Sequence, residues 1–128
     1  MKKIYISVPM NGRSDDDIRA SIDKMIKCTR ILLDDEVTVV NEFKPYHAVS
    51  DNIPIHHDVQ ALGESIALMS LADVFVTVDW GYESRGCDVE RHVAGAYGFP
   101  IIGLPPYLIC PDLKPKEEAC ACLESVSV

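Results

Sequence analysis

The run Val74-Phe75-Val76-Thr77-Val78 constrains this chain more than any other segment. Five β-branched or aromatic residues in succession suit a strand covered on both faces, as in a parallel sheet, and not one with a wet side. Shorter runs of the same kind recur at Lys3 to Val8, Val37 to Val40 and Pro100 to Leu104. Helical patterns separate them. Ser14 followed by Asp17 marks a helix start, and Ile18, Ile22, Met25, Ile26, Thr29 and Leu33 then form one apolar stripe that ends at Asp34-Asp35. A second helix is expected from Val59 to Leu71, with Leu62, Ile66 and Met69 inward, and a third covers Val89 to Tyr97 before Gly98 and Pro100 stop it. This alternation predicts an α/β Rossmann-like or flavodoxin-like three-layer sandwich. The expected parallel sheet has four to five strands in the order 2-1-3-4-5, with Tyr107 to Cys110 as the candidate fifth strand and Lys116 to Glu124 as a terminal helix.

The 128 residues make one domain, 1–128, with a core over about 3–110 and a C-terminal tail over about 111–128. A net charge of −8 opposes binding to nucleic-acid polymers, which need a basic face, yet leaves room for a single nucleotide held by local donors. No apolar run approaches a membrane span, and Met1-Lys2-Lys3 leads at once into a strand pattern, so a cytoplasmic protein without a leader is expected. The five cysteines, an odd number, read as reduced thiols, and Cys120-Ala121-Cys122 lacks zinc-ligand spacing. His56-His57-Asp58 places neighbouring side chains on diverging directions, so neither a metal nor a cofactor is expected.

The chemistry concentrates after the Val74–Val78 run. Asp79-Trp80-Gly81-Tyr82-Glu83-Ser84-Arg85-Gly86-Cys87 is a polar turn between a buried strand and a helix. In open α/β sheets such turns face the ligand crevice, and the first helix amides favour an anion. The exit of the first strand, with Ser7, Pro9, Met10 and Gly12, should face the same crevice. Ser84 and Gly86 suit a phosphate cradle, although Ser84 is equally good as a plain helix cap. Glu90, six residues beyond Ser84, is either a solvated helix residue or a carboxylate facing the crevice, placed to attack a sugar's anomeric carbon. Tyr5 either packs in the core or presents its hydroxyl to Glu90. Asp79 and Glu83 read as sugar contacts or polar loop residues, and Trp80 as a stacking platform or loop packing. Cys87, near a helix start, is a candidate for a lowered thiol pKa. Asp73 reads as structural, and the long stretch from Asn41 to Pro54 as a lid or binding loop.

Together, Tyr5-Ile6-Ser7-Val8-Pro9-Met10-Asn11-Gly12, Asp73-Val74 and Ser84-x-Gly86-x-x-x-Glu90 resemble the nucleoside 2-deoxyribosyltransferase-like superfamily over roughly residues 3 to 103. The better-understood members are deoxyribosyltransferases and deoxynucleoside 5′-monophosphate N-glycosidases. The resemblance implies a Rossmann-like sheet and N-glycosidic cleavage or deoxyribosyl transfer on a small nucleoside or nucleotide. It also implies a homodimer or larger assembly. Glu90 falls on the nucleophile, Tyr5 on its orienting tyrosine, and Ser84 with Gly86 on the phosphate loop. Ser65 occupies the position of an aspartate that assists the leaving base, and Val8-Pro9 stand where the glycosidases carry Gly and Ser. A non-catalytic nucleotide-binding protein, a sensor or a sequestering protein, is therefore the alternative expectation.

Overall fold

Four strands, β1 (Lys2–Ser7), β2 (Val37–Val39), β3 (Val74–Val78) and β4 (Ile101–Leu104), form one parallel sheet in the order β2-β1-β3-β4. Helices α1 (Asp15–Leu33), α2 (His57–Met69), α3 (Arg85–Ala96) and the short α4 (Pro106–Ile109) alternate with them. This is the Rossmann-like sandwich expected from the sequence. The coordinates, a computed structural model, describe residues 1–43, 56–79 and 84–113. No helix among the described residues is long and apolar enough to cross a membrane.

The period-two alternation of strand side chains divides the core. Ile4, Ile6 and Val8 join Val74, Val76 and Val78 on one face, under Ile18 and Met25 of α1 and Ile109 of α4. Tyr5 and Phe75 join Met69 of α2 and Ala94 of α3 on the other. Tyr5 and Phe75 are register partners, and their rings stack with centroids 5.7 Å apart.

Local signals fix the helix ends. The Ser14 hydroxyl accepts from the Asp17 amide at 3.1 Å, and three aspartates occupy the first turn of α1, where the helix dipole favours them. Asp34 closes that helix in a left-handed conformation, φ 48°. Buried Ser21, outside the apolar stripe read from the sequence, donates to the Ile109 carbonyl at 2.7 Å and ties α1 to α4.

The structure corrects the expected fifth strand. Residues Pro106–Ile109 form a short helix, so the described sheet stops at β4. Pro106 stands in its first turn, where a missing N–H costs nothing and φ is already helical. Strand β2 ends one residue early, at Val39. Asn41 then takes over its pairing: Oδ1 accepts from the Ile6 N–H at 2.9 Å and Nδ2 donates to the Ile6 carbonyl at 2.7 Å. Helix α3 starts four residues before the expected Val89, because Ser84 caps it. The expected terminal helix, and all of the long loop beyond Phe43, lie outside the described residues.

Met25 is fully buried on the α1 face, opposite the Tyr5 face. Met25→Ala should cost about 2–5 kcal/mol in chemical denaturation, by lost transfer energy and a cavity. The Tyr5–Phe75 face should keep its native near-ultraviolet signature under folding conditions.

Candidate active site

The topology delivers two donors and one acceptor to the same spot. Because β1 and β3 are neighbours while β2 lies on the far side of β1, the sheet changes winding direction between them. Helix α3 begins after the exit of β3 and packs Ala94 against the Tyr5–Phe75 face. Glu90, one helical turn before Ala94, therefore points at the sheet. Its side chain is buried, with 7% of the residue exposed. The Tyr5 hydroxyl donates to Glu90 Oε2, and the Ser7 hydroxyl approaches Oε1 at 3.4 Å. Positions 5 and 7 share a face of β1, so the strand period presents both hydroxyls to one carboxyl group. Of the alternatives for Glu90, the structure selects the carboxylate facing inward over the solvated helix residue.

Burial dominates the electrostatics. It pushes the Glu90 carboxyl above the ordinary glutamate range, against the opposing pull of the Tyr5 and Ser7 hydrogen bonds. Burial also raises the Tyr5 phenol far above its ordinary value, assisted by the charge of Glu90 and the hydrogen bond to it. The Ser65 hydroxyl of α2 lies close enough to the same phenol to act in the opposite direction. Tyr5 is thus a permanent donor. Cys87 departs from the sequence expectation: burial raises its thiol pKa, and hydrogen bonds from Ser7 and Ser84 only partly oppose this. Desolvation outweighs the helix N-terminus there, so Cys87 is a buried neutral thiol.

A shallow depression adjoins this pair. Pro9 from the β1 exit, Thr77 and Val78 of β3 with Asp79 just beyond it, the α3 cap Ser84, and Cys87 and Arg91 of α3 line it. Tyr5 and Glu90 lie next to it, linked through Cys87, and do not form its wall. Ser84 is buried and accepts from the Cys87 amide at 3.4 Å, so the capping role is present. A Cβ on Gly86 would meet no atom within 4 Å, which leaves open space beside the first turn. Arg85 is exposed, as is Met10, and Gly12 turns the loop with φ 72°. Asp79 is exposed, and its carboxyl lies where a Cβ on Gly103 of β4 would collide with it. Asp73 is structural, as read: its carboxyl accepts from the Lys3 amide at 3.0 Å. Trp80 and Glu83 lie outside the described residues.

Arg91 and Thr77 were not among the residues read as lining the site, whereas Ser65 was read there as the residue in place of the leaving-base aspartate. Ser65 and Ile66 sit side by side on the half-buried face of α2, and the helical period alone marks both as inward. Arg91 donates through Nε to the Cys87 carbonyl at 3.3 Å and through Nη2 to Asp88 at 2.6 Å. Its position one helical turn after Cys87 was the available signal.

The fold and this pair of side chains define a doubly wound α/β protein with a buried tyrosine–glutamate couple at its switch point. Compared with family models, curated proteins and solved structures, the chain finds no match.

A carboxyl group whose pKa is raised on folding holds its proton more firmly in the native state than in the unfolded chain. Ionising it therefore destabilises the fold at pH values above the native pKa, and this penalty vanishes at pH values below the unfolded one. Glu90→Gln, which removes the charge and keeps the shape, should raise the melting temperature at neutral pH. The gain should shrink as the pH falls through the raised native pKa and be gone below about 4, where glutamate in the unfolded chain is protonated too. A thermal melt series over pH reads this directly.

Proposed function

We propose that this protein cleaves or transfers the N-glycosidic bond of a (deoxy)nucleoside or its 5′-monophosphate, with Glu90 as nucleophile. The observation that carries this reading is the hydrogen bond from Tyr5 to Glu90 inside a buried site. A solvated helix glutamate has no need of such a partner. Tyr5 holds Oε2, while Oε1 has only the longer Ser7 contact, which leaves Oε1 the freer atom for attack. Oε1 would form a bond to the anomeric carbon as the carbon–nitrogen bond breaks and its electron pair leaves with the base. The base then takes a proton from solvent. Water attacking the glycosyl-enzyme completes hydrolysis, and a second base completes transfer. The open space beside Gly86, the Ser84 hydroxyl and the first amides of α3 suit a 5′-phosphate. Asp79 is positioned on the depression wall for a polar contact to the substrate. The assembly expected from the family resemblance, a homodimer or larger, belongs to this same proposal.

Incubation with the common deoxynucleoside 5′-monophosphates should release free base, measured by chromatography. Glu90→Ala should lower the rate at least roughly 10³-fold, since a nucleophile acts as part of a unit. Tyr5→Phe should lower it by roughly 10²-fold through loss of orientation. Release that is absent, or equal in wild type and Glu90→Ala, removes the proposal. The nucleophile must be ionised, so kcat/KM should climb with pH through a range above the ordinary glutamate pKa.

Ser65 favours a second reading. Position 65 offers no carboxyl group to a leaving base. A protein that binds the nucleotide and leaves it whole would then stabilise on ligand addition and return the ligand intact.

A further inference from the structure

The Arg13 guanidinium joins three segments that the fold would otherwise leave loosely connected. Its Nε and Nη2 donate to the two carboxylate oxygens of Asp112 at 2.9 and 2.8 Å. Nη2 also reaches the Asp17 carbonyl at 3.2 Å and the Ser21 hydroxyl at 2.6 Å in α1. Nη1 donates to the Pro9 carbonyl at 2.9 Å. Pro9 is the residue through which the β1–α1 loop contributes to the depression beside Glu90. That loop, Pro9 to Gly12, belongs to no helix or strand, and Pro9 has no amide hydrogen to donate. A turn bond from the Arg13 amide to the Met10 carbonyl at 3.2 Å closes it. Asp112 belongs to the segment that follows α4, so the clamp spans the loops beyond β1 and beyond β4.

Helix α1 is already secured without the clamp. Ser14 caps it, and Ile18 and Met25 anchor it in the core. What the guanidinium adds is a fixed position for the Pro9 carbonyl. We propose that Arg13, braced by Asp112, is a positioning residue that holds the Pro9–Gly12 loop in the shape that receives substrate. This rests on the glycosidic reading for the identity of the ligand and on the hydrogen bonds for the loop. A lysine cannot reproduce the clamp, because its ammonium lacks the planar fork that meets a carboxylate with two parallel bonds and a carbonyl with a third.

The test compares Arg13→Lys, Arg13→Gln and Asp112→Asn with Ser14→Ala, which weakens the same end of α1 without touching the clamp. Amide hydrogen exchange at position 13, whose N–H closes the loop on the Met10 carbonyl, should accelerate at least roughly tenfold in the Arg13 variants and less in Asp112→Asn, as expected for loss of charge-assisted hydrogen bonds. It should stay at the wild-type rate in Ser14→Ala. With deoxynucleoside 5′-monophosphates, KM should rise roughly tenfold in Arg13→Lys while kcat stays within roughly threefold, because the Tyr5–Glu90 bond is untouched. Unchanged loop exchange in Arg13→Lys and Arg13→Gln overturns the proposal. So does a KM in Ser14→Ala that rises as much as in Arg13→Lys. Wild-type protein that neither cleaves nor binds these nucleotides removes the glycosidic reading alone, and hydrogen exchange still decides the role of Arg13.

Discussion

A carboxyl group is buried beside a phenol, and the surroundings of the candidate site follow from that. Removing a carboxylate from water is costly unless donors replace the lost hydration. Here the replacements are two hydroxyls, and among the described residues Glu90 has no cationic partner. The phenol is held in turn by its ring, stacked on Phe75, with both rings buried on one sheet face. Ala94 lies fully buried one turn beyond Glu90, and its small side chain lets α3 approach the sheet closely enough for the bond to form. The polar pair therefore depends on apolar packing on both sides of it.

The sheet separates support from chemistry. On one face α1 and α4 cover an aliphatic layer and carry the Arg13, Ser21 and Asp112 connections. On the other, α2 and α3 enclose Tyr5, Ser7, Ser65, Cys87 and Glu90. Asn41 serves both faces. By bonding both backbone groups of Ile6 after β2 has ended, it keeps β1 extended as far as Ser7, where the second donor to Glu90 sits. A short strand with a side-chain amide at its end does the work of a longer strand and still frees the chain to leave the sheet.

The strands and the main helices were legible because their hydrophobic periods are unambiguous. Topology brought Tyr5 and Glu90 to one crevice but left their pairing as one of two readings, and the coordinates select it. Three features were hidden for physical reasons. Residues 107 to 110 have strand composition, but the preceding Pro106 sets a helical φ and the sequence pattern does not weigh that against the apolar run. The Cys87 thiol sits where a helix N-terminus would lower its pKa, and only coordinates reveal that burial outweighs it. Arg13 carries no signal in the sequence, because a clamp to a residue 99 positions away leaves no local mark.

The proton inventory narrows the chemistry further. Tyr5, Cys87 and Glu90 are all driven by burial toward their neutral forms, and at Glu90 the Tyr5 and Ser7 hydroxyls oppose that drive. Under the glycosidic reading, Tyr5 is ill suited to protonate a departing base: its proton is committed to Glu90, and giving it up would create a second buried anion beside the first. Ser65, near the same phenol, has no acidic proton to offer. Under that reading, orientation of the nucleophile and protonation of the leaving group are separate problems. Sheet-borne hydroxyls answer the first, and the second falls to solvent or to the substrate itself.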